Sequence, residues 1–139
     1  MKYLLDTCVI SELVKKAPTP SVVKWLNGID ETNFYLSVLT LGELQKGISK
    51  LPDSARKDEL QTWIESDLVA RFESRILDLD LETALAWGRM QGVAEQNGTR
   101  LPVMDSLIAA SAAARSLVVV TRNTKDIERC NVKVLNPWG

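Results

Sequence analysis

The sequence contains no histidine, and Cys8 and Cys130 are its only cysteines. Without an imidazole, the protein cannot use a Ser-His-Asp or Cys-His nucleophile system, a paired-histidine ribonuclease mechanism or an HExxH zinc site. Acid-base or metal chemistry in this chain must therefore depend on carboxylates. The two cysteines lack metal-binding spacing and are predicted to be reduced, buried thiols. Together with the absence of a secretory signal pattern, this favours a cytoplasmic protein.

The sequence also lacks a long apolar run and an excess of charge of either sign. No window approaches the roughly 18 apolar residues of a membrane-spanning helix, so we expect no membrane contact. The 17 Lys and Arg residues against 18 Asp and Glu residues give a formal net charge of −1, and 45% of the residues are hydrophobic. This balance argues against a strongly basic nucleic-acid coat protein but permits a local basic patch. Length and composition predict one domain that spans residues 1–139.

Short apolar runs alternate with longer helical patterns along the chain, which is typical of parallel α/β units. Strands are predicted at 2–5, 34–38, 76–77, 117–120 and 132–135. Helices are predicted at 7–16, 21–26, 40–50, 81–97, 102–115 and 123–129, with a further helix from residue 53 or 54 to about 72. The sequence therefore predicts an α/β fold with a central parallel sheet.

Carboxylates or their amides follow the predicted strands where each strand ends. Asp6 follows the first strand, and Glu43 lies in the first turn of the helix after the second strand. Asn123 and Asp126 follow the fourth strand. In an open parallel sheet the carboxyl ends of the strands share one edge, where ligands bind, so we expect these side chains to converge. Each also has a structural alternative, because Asp6 and Asn123 fit helix N-caps and Thr40 with Glu43 fits a capping box.

Asp105 is the acid that a helix cap explains least well. Its helical neighbours are apolar, namely Leu101, Ile108, Ala109 and Ala112, so we expect its face of the helix to point toward the interior. An ionised carboxylate there is costly unless a charge or hydrogen-bond donors compensate it, and a divalent cation would do so. The alternative is a first-turn aspartate that complements the helix dipole.

Three carboxylates on three elements, Asp6, Glu43 and Asp105, suit Mg²⁺ or Mn²⁺, which prefer oxygen ligands and bind substrate phosphates. Such an ion lowers the pKa of a bound water and neutralises charge that develops on a phosphodiester. The sequence thus points to metal-assisted phosphoryl chemistry.

The same residues carry a family resemblance along essentially the whole chain. The chain resembles PIN-domain endoribonucleases of the VapC toxin type in four segments, 4–12, 37–44 with Gly47, 105–110 and 121–126. The resemblance implies a three-layer α/β/α PIN-like fold around a parallel sheet. It also implies Mg²⁺-dependent hydrolysis of RNA, such as tRNA or another structured RNA, that leaves a 5′-phosphate and a 3′-hydroxyl and inhibits translation.

The resemblance assigns roles to individual positions. Asp6, Glu43 and Asp105 match the three acids of the family's metal site, for which Mn²⁺ may replace Mg²⁺. Asp126 matches a further catalytic acid, whereas Asn123 stands where many members have aspartate, which removes one negative charge and makes tight binding of a second metal less favourable. Cys8 stands where asparagine is usual in the family, and we expect this departure to alter a hydrogen bond near the site rather than the binding of the metal ion. Candidate substrate-binding residues are Thr7, Arg122, Asn123 and Lys125, with Arg129 beside them.

The family also implies partners. The expected ones are a VapB-like antitoxin, an RNA substrate and a second copy of the chain in a homodimer or a larger toxin–antitoxin assembly. A groove for the antitoxin is expected around Val9, Ile10, Leu13, Val22, Trp25 and Leu26, and the four tryptophans are expected to pack rather than stack on bases.

Two other functions compete with the nuclease. A phosphorelay receiver domain shares the length and the α/β build, but it would need an acid pair after the first strand and a lysine after the fifth, where this chain has Asp6-Thr7 and Asn136-Pro137. A non-catalytic PIN-like module that occupies operator DNA with its antitoxin is disfavoured by the three retained acids, yet Asn123 leaves it open.

Overall fold

A five-stranded parallel sheet forms the centre of the protein, whose residues 1–139 are all described by the computed structural model. The strands are β1 (Tyr3–Leu5), β2 (Phe34–Ser37), β3 (Ile76–Leu77), β4 (Val118–Val120) and β5 (Val134–Leu135). They lie in the order β3-β2-β1-β4-β5, with every neighbouring pair parallel. The predicted parallel sheet is confirmed.

The helices follow the predicted order. They are α1 (Thr7–Glu12), α2 (Pro20–Asn27), α3 (Val38–Ser49), α4 (Ala55–Thr62), α5 (Val69–Arg71), α6 (Leu81–Gln96), α7 (Val103–Arg115) and α8 (Thr124–Glu128). A π-helical segment, Trp63–Leu68, joins α4 to α5, so the predicted helix that ends near residue 72 is one continuous helical stretch. None of the helices has the length and apolar character needed to cross a membrane.

Alternate residues of the strands face opposite helical layers, as the strand period of two requires. Tyr3 and Leu5 belong to the larger core cluster, which also holds residues of α1, α3 and the π-helical segment. Leu4 and Val119 belong to a second cluster with residues of α7 and α8. Helices therefore cover both faces of the sheet, and the predicted three-layer α/β/α fold is confirmed.

The first predicted helix is too long, because α1 ends at Glu12 rather than at residue 16. The Glu12 carboxylate accepts a hydrogen bond from the Thr19 backbone N–H at 2.9 Å, which closes a turn between α1 and α2. Prolines at positions 18 and 20 also favour extended backbone in the residues before them. Pro20 is the first residue of α2, a position that tolerates its missing N–H.

The groove predicted for the antitoxin is wrong in half of its residues. Val9, Ile10 and Val22 are fully buried and belong to the protein's own interior, so they cannot line a surface groove. A cavity of about 230 Å³ lies beside the other half of the predicted groove, and residues that include Leu13, Leu26, Ile29 and Phe72 line it.

The tryptophans pack as predicted. Trp25, Trp63 and Trp138 lie against the larger core cluster, and Trp87 donates from Nε1 to the Ser106 hydroxyl at 2.9 Å. Of the two thiols, Cys130 is buried, whereas Cys8 is only partly buried, so the prediction of two buried thiols is half correct.

The strand order places a switch point beside β1. The chain passes from β1 to β2 on one side, whereas β4 pairs with β1 on the other side. Open α/β sheets bind ligands in the crevice outside the carboxyl ends of the strands at such a point. The residues that follow β1 and β4 therefore lie where the fold favours a ligand-binding site.

Candidate active site at the carboxyl ends of β1 and β4

A cavity of about 460 Å³ lies at this switch point. Its lining brings together residues that follow β1, residues on α3 and α7, and residues that follow β4: Asp6, Thr7, Cys8, Glu43, Met104, Asp105, Ile108, Arg122 and Asn123. The three acids predicted for the metal site thus line one pocket, although they are up to 99 positions apart in the sequence (105 − 6). We refer to this cavity as the carboxylate pocket.

Asp6 is fixed from two directions. One carboxylate oxygen, Oδ1, accepts from the Thr7 backbone N–H at 2.8 Å, as an N-cap does at the start of α1. The other, Oδ2, accepts from the Thr121 hydroxyl at 2.8 Å. The capping interpretation is therefore correct for Asp6, but it accounts for only one of its two oxygens. The second bond ties the end of β1 to the end of β4.

Glu43 does not form the capping box that the sequence allows. Helix α3 begins at Val38, two residues earlier than predicted, because the Ser37 hydroxyl caps it by accepting from the Leu39 N–H at 3.1 Å. Thr40 then lies inside the helix with its hydroxyl buried and unpaired. The Glu43 carboxylate is left to accept from the Thr7 hydroxyl at 2.7 Å, which holds it at the pocket.

Asp105 lies in the first turn of α7 and is only partly buried, at the pocket rather than in the core. Its Oδ2 accepts from the Asn123 side-chain amide at 3.2 Å. Burial raises the pKa of Asp105, and the negative charges of Asp6, Asp126 and Glu43 raise it further, while the bond from Asn123 opposes the shift. Three other acids are thus close enough to affect Asp105 electrostatically.

The remaining predicted residues divide into two groups. Arg122 and Asn123 line the carboxylate pocket, with the Asn123 amide acting as a hydrogen-bond donor to a neighbouring acid. Asp126 and Lys125, both on α8, lie outside its lining. Asp126 still raises the pKa of Asp105, and its own carboxylate faces Arg129 at 3.9 Å.

Two residues within the motif segments organise the pocket, although neither was predicted as a site residue. Thr121 is fully buried, and its hydroxyl accepts from the Asn123 backbone N–H at 3.0 Å while donating to Asp6. The Cys8 sulfur lies 3.7 Å from the same hydroxyl and accepts from the Arg122 backbone N–H at 3.5 Å. The signal for Thr121 was available, because it is the first polar residue after the apolar strand β4.

Comparison with known families settles what this arrangement belongs to. The model of the PIN domain matches residues 3–132. This chain is a member of the PIN-domain family.

Named relatives of this PIN domain cover nearly its whole length. Toxin FitB of Neisseria gonorrhoeae is 36% identical over 97% of each chain. The VapC ribonuclease Y4jK of Sinorhizobium fredii is 32% identical over 97% of this chain and 96% of that protein. A solved structure of FitAB bound to an IR36 DNA fragment superposes with a TM-score of 0.92 at 34% identity, covering 99% of this chain and 96% of that one. The resemblance to VapC-type PIN domains is confirmed.

The donor chemistry of the pocket fits a hard divalent cation. No group of three or more His, Cys, Asp or Glu side chains is placed closely enough to form a ready-made metal cage. Mg²⁺ does not need such a cage, since it commonly uses one or two carboxylates and keeps several waters. Asp6, Glu43 and Asp105 offer only oxygen donors. Burial and then the neighbouring negative charges raise the pKa of Asp105, and a cation would offset both effects. PIN-domain ribonucleases are generally metal-dependent, and the family match and the ribonuclease relative therefore support metal dependence without identifying the ion.

Proposed function

We propose that this PIN domain is a metal-dependent endoribonuclease that hydrolyses tRNA or another structured RNA and acts as the toxin of a toxin–antitoxin pair. One observation carries the proposal: Asp6 after β1, Glu43 on α3 and Asp105 on α7 converge in the carboxylate pocket at the switch point of the sheet. Residues 1–139 act as a single domain in this proposal. Its setting is the cytoplasm, where RNA cleavage would inhibit translation.

The three acids would hold Mg²⁺, with Mn²⁺ as a substitute. When bound, the ion lowers the pKa of a water molecule and neutralises charge that develops on the phosphodiester. The chain's own residues keep the acids in place for this task. The Thr7 and Thr121 hydroxyls orient Glu43 and Asp6, and Asn123 contacts Asp105. Asp126 adds negative charge from α8 as a further catalytic candidate.

Substrate binding would use the cationic side of the same pocket. Arg122 is the only Lys or Arg that lines it, and its guanidinium is suited to a phosphate of the RNA backbone. Thr7 and Asn123 also line the pocket, whereas Lys125 lies on the adjacent α8 and would contact more distant phosphates. Since the net charge is −1, RNA affinity would depend on these local cations and on the bound metal.

The proposed protein partners are a VapB-like antitoxin and a second copy of the chain. The apolar cavity near Leu13, Leu26 and Phe72 fits a short amphipathic helix of the antitoxin. Leu81, Leu85 and Val93 on α6 are strongly exposed apolar side chains and would lie in the homodimer interface. Assemblies larger than a dimer would form when the antitoxin joins toxin dimers.

The competing function is a non-catalytic module that acts with its antitoxin on operator DNA. The solved FitAB complex contains DNA, which favours a DNA-bound assembly as a second role of the pair. A module without activity would have no need for three converging acids, two of them oriented by threonine hydroxyls and the third by the Asn123 amide. The pocket therefore supports catalysis as the primary function.

Cleavage of a panel of structured RNAs by the purified chain tests the proposal. We expect cleavage with Mg²⁺, none with a chelator, and a loss of at least a hundredfold in Asp6→Asn, Glu43→Gln and Asp105→Asn, since each removes a charge from the metal site. Asp67→Asn is the matched control, because the Asp67 side chain is exposed and takes part in no hydrogen bond or ion pair. Full activity in Asp105→Asn would refute the site, and absence of cleavage by the unaltered chain on every RNA would refute the function.

A further inference from the structure

Glu12 is a charged residue at the end of the motif segment 4–12, and the proposed metal site does not account for it. Only 1% of its surface is exposed, at the carboxyl end of α1. A buried carboxylate is costly unless charges and donors compensate it. Glu12 has three such partners: the Lys15 ammonium, the Thr19 backbone N–H at 2.9 Å and the Arg122 guanidinium at 3.8 Å. The hydrogen bond from Lys15 is the main cause of the lowered pKa of Glu12, so the carboxylate is charged at neutral pH.

Trp138 supports the same guanidinium from another side. The Arg122 guanidinium carbon lies 4.4 Å from the centre of the Trp138 ring, within the range of a cation–π contact. Trp138 packs against the larger core cluster, and its Nε1 is buried without a hydrogen-bond partner. The indole ring is therefore held by packing, and its cation–π contact with Arg122 does not depend on a hydrogen bond from the ring.

Arg122 itself stays available to a ligand. Its side chain is 56% exposed, and it lines the carboxylate pocket. Glu12 shares its charge between Lys15 and Arg122, with Arg122 the more distant partner, so the Arg122 charge is only partly neutralised. A free arginine side chain has many rotamers, and holding it in place before binding lowers the entropy cost of a phosphate contact.

We infer that Glu12 and Trp138 are positioning residues that hold the Arg122 guanidinium at the rim of the carboxylate pocket, where it binds a phosphate of the RNA strand being cleaved. The inference rests on the proposed nuclease function and adds a preformed phosphate site to it. Arg122 contacts the substrate, whereas Glu12 and Trp138 act only through Arg122. The arrangement places one cation beside several acids, which gives an anionic strand a contact that does not depend on the metal.

Steady-state cleavage of one RNA by Trp138→Leu and Trp138→Phe tests the role of the ring. Loss of a cation–π contact corresponds to about a threefold to tenfold change in affinity, so Trp138→Leu should raise KM by that factor and change kcat less than twofold. Trp138→Phe keeps an aromatic face and removes an unpaired buried N–H, so its KM should stay close to that of the unaltered chain. Equal KM values for both variants and the unaltered chain would overturn the inference.

Coupling between the variants separates positioning from a merely structural role. Arg122→Gln should raise KM and reduce the salt dependence of RNA binding by about 0.7 in logarithmic slope, the value for one phosphate contact on a single strand. In the Arg122→Gln background, Trp138→Leu and Glu12→Gln should raise KM no further, because their effect passes through Arg122. Glu12→Gln keeps an acceptor for the Thr19 N–H, which protects the turn after α1.

The outcomes distinguish this inference from the proposed function. Cleavage by the unaltered chain with additive effects of Trp138→Leu and Arg122→Gln would overturn the positioning role and leave the nuclease standing. Variants that lower kcat and thermal stability together, without a selective change in KM, would show a structural role and also overturn it. Unchanged KM with weakened antitoxin binding would assign Arg122 to the antitoxin and overturn the RNA site. No cleavage by the unaltered chain would refute the nuclease itself, and the inference with it.

Discussion

Thr121→Val is expected to damage the pocket through two hydrogen bonds while barely changing side-chain shape. The Thr121 hydroxyl donates to Asp6 at 2.8 Å and accepts from the Asn123 backbone N–H at 3.0 Å, and the residue is fully buried. Valine fills the same space but offers neither bond, so a carboxylate oxygen loses its donor and an amide loses its acceptor.

The size of this effect follows from the two bonds. A hydrogen bond to a charged group contributes about 1.5–3 kcal/mol and a neutral one about 0.5–1.5 kcal/mol. Because Asp6 is only partly buried, water replaces part of the lost bond, and we expect a total of about 2–3 kcal/mol. For a chain of 139 residues, 1 kcal/mol corresponds to a shift in Tm of about 3 °C. Thr121→Val should therefore lower Tm by about 6–9 °C.

Thermal unfolding of the metal-free protein, followed by circular dichroism, measures this shift. Thr121→Ser is the matched control, because it keeps the hydroxyl and loses only a methyl group, and it should retain more stability than Thr121→Val. The valine variant should also cleave RNA more slowly than the serine variant, since Asp6 is no longer held from β4. A Tm within about 2 °C of the unaltered chain for Thr121→Val would refute the view that this hydroxyl ties the two strand ends together.

Three further predictions concern the acids of the pocket and their hydrogen-bond partners. The pKa of Asp105 is raised in the folded state, so the ionised carboxylate lowers the stability of the fold above that pKa, and this loss of stability disappears as the pH falls through it. Metal-free Asp105→Asn should therefore have a Tm no lower than that of the unaltered chain at pH 7. Any gain in Tm from the substitution should shrink toward pH 4. A clear loss of Tm at pH 7 would contradict this sign. Thr7→Val removes the donor to Glu43 and should cost about 1 kcal/mol, whereas Thr7→Ser should not, as urea unfolding would measure. Asn123→Asp replaces a hydrogen-bond donor to Asp105 with a negative charge. The variant should therefore have a lower Tm without metal and a larger rise in Tm when Mg²⁺ is added. No change in either quantity would show that residue 123 does not affect the site.

Much of the fold could be predicted because its signals are local. Apolar runs and helical spacing gave the order of strands and helices, and the motif residues at strand ends gave a shared edge of the parallel sheet. Helix boundaries were less certain, because they depend on competition among several caps. Ser37, and not Thr40, caps α3. Helix α1 ends at Glu12, whose carboxylate accepts from the backbone N–H of Thr19, seven positions later.

The contacts that organise the site could not be predicted, because they join residues far apart in the sequence. The bond from Thr7 to Glu43 spans 36 positions, and the bond from Thr121 to Asp6 spans 115. No local pattern encodes such a pair. For the same reason the groove residues Val9, Ile10 and Val22 were misplaced, since an apolar helical stripe does not reveal whether it faces the protein's own core or a partner.

The chemical nature of the RNA ends gives the most direct test of metal-assisted hydrolysis at the carboxylate pocket. Cleavage of an end-labelled RNA in ¹⁸O-labelled water, with Mg²⁺ or with a chelator, would be followed by mass spectrometry of the fragments. We predict a 5′-phosphate that contains one oxygen from water, a 3′-hydroxyl, and no product in the chelator or with Asp105→Asn. A 2′,3′-cyclic phosphate, or cleavage that persists without a divalent metal, would contradict the account.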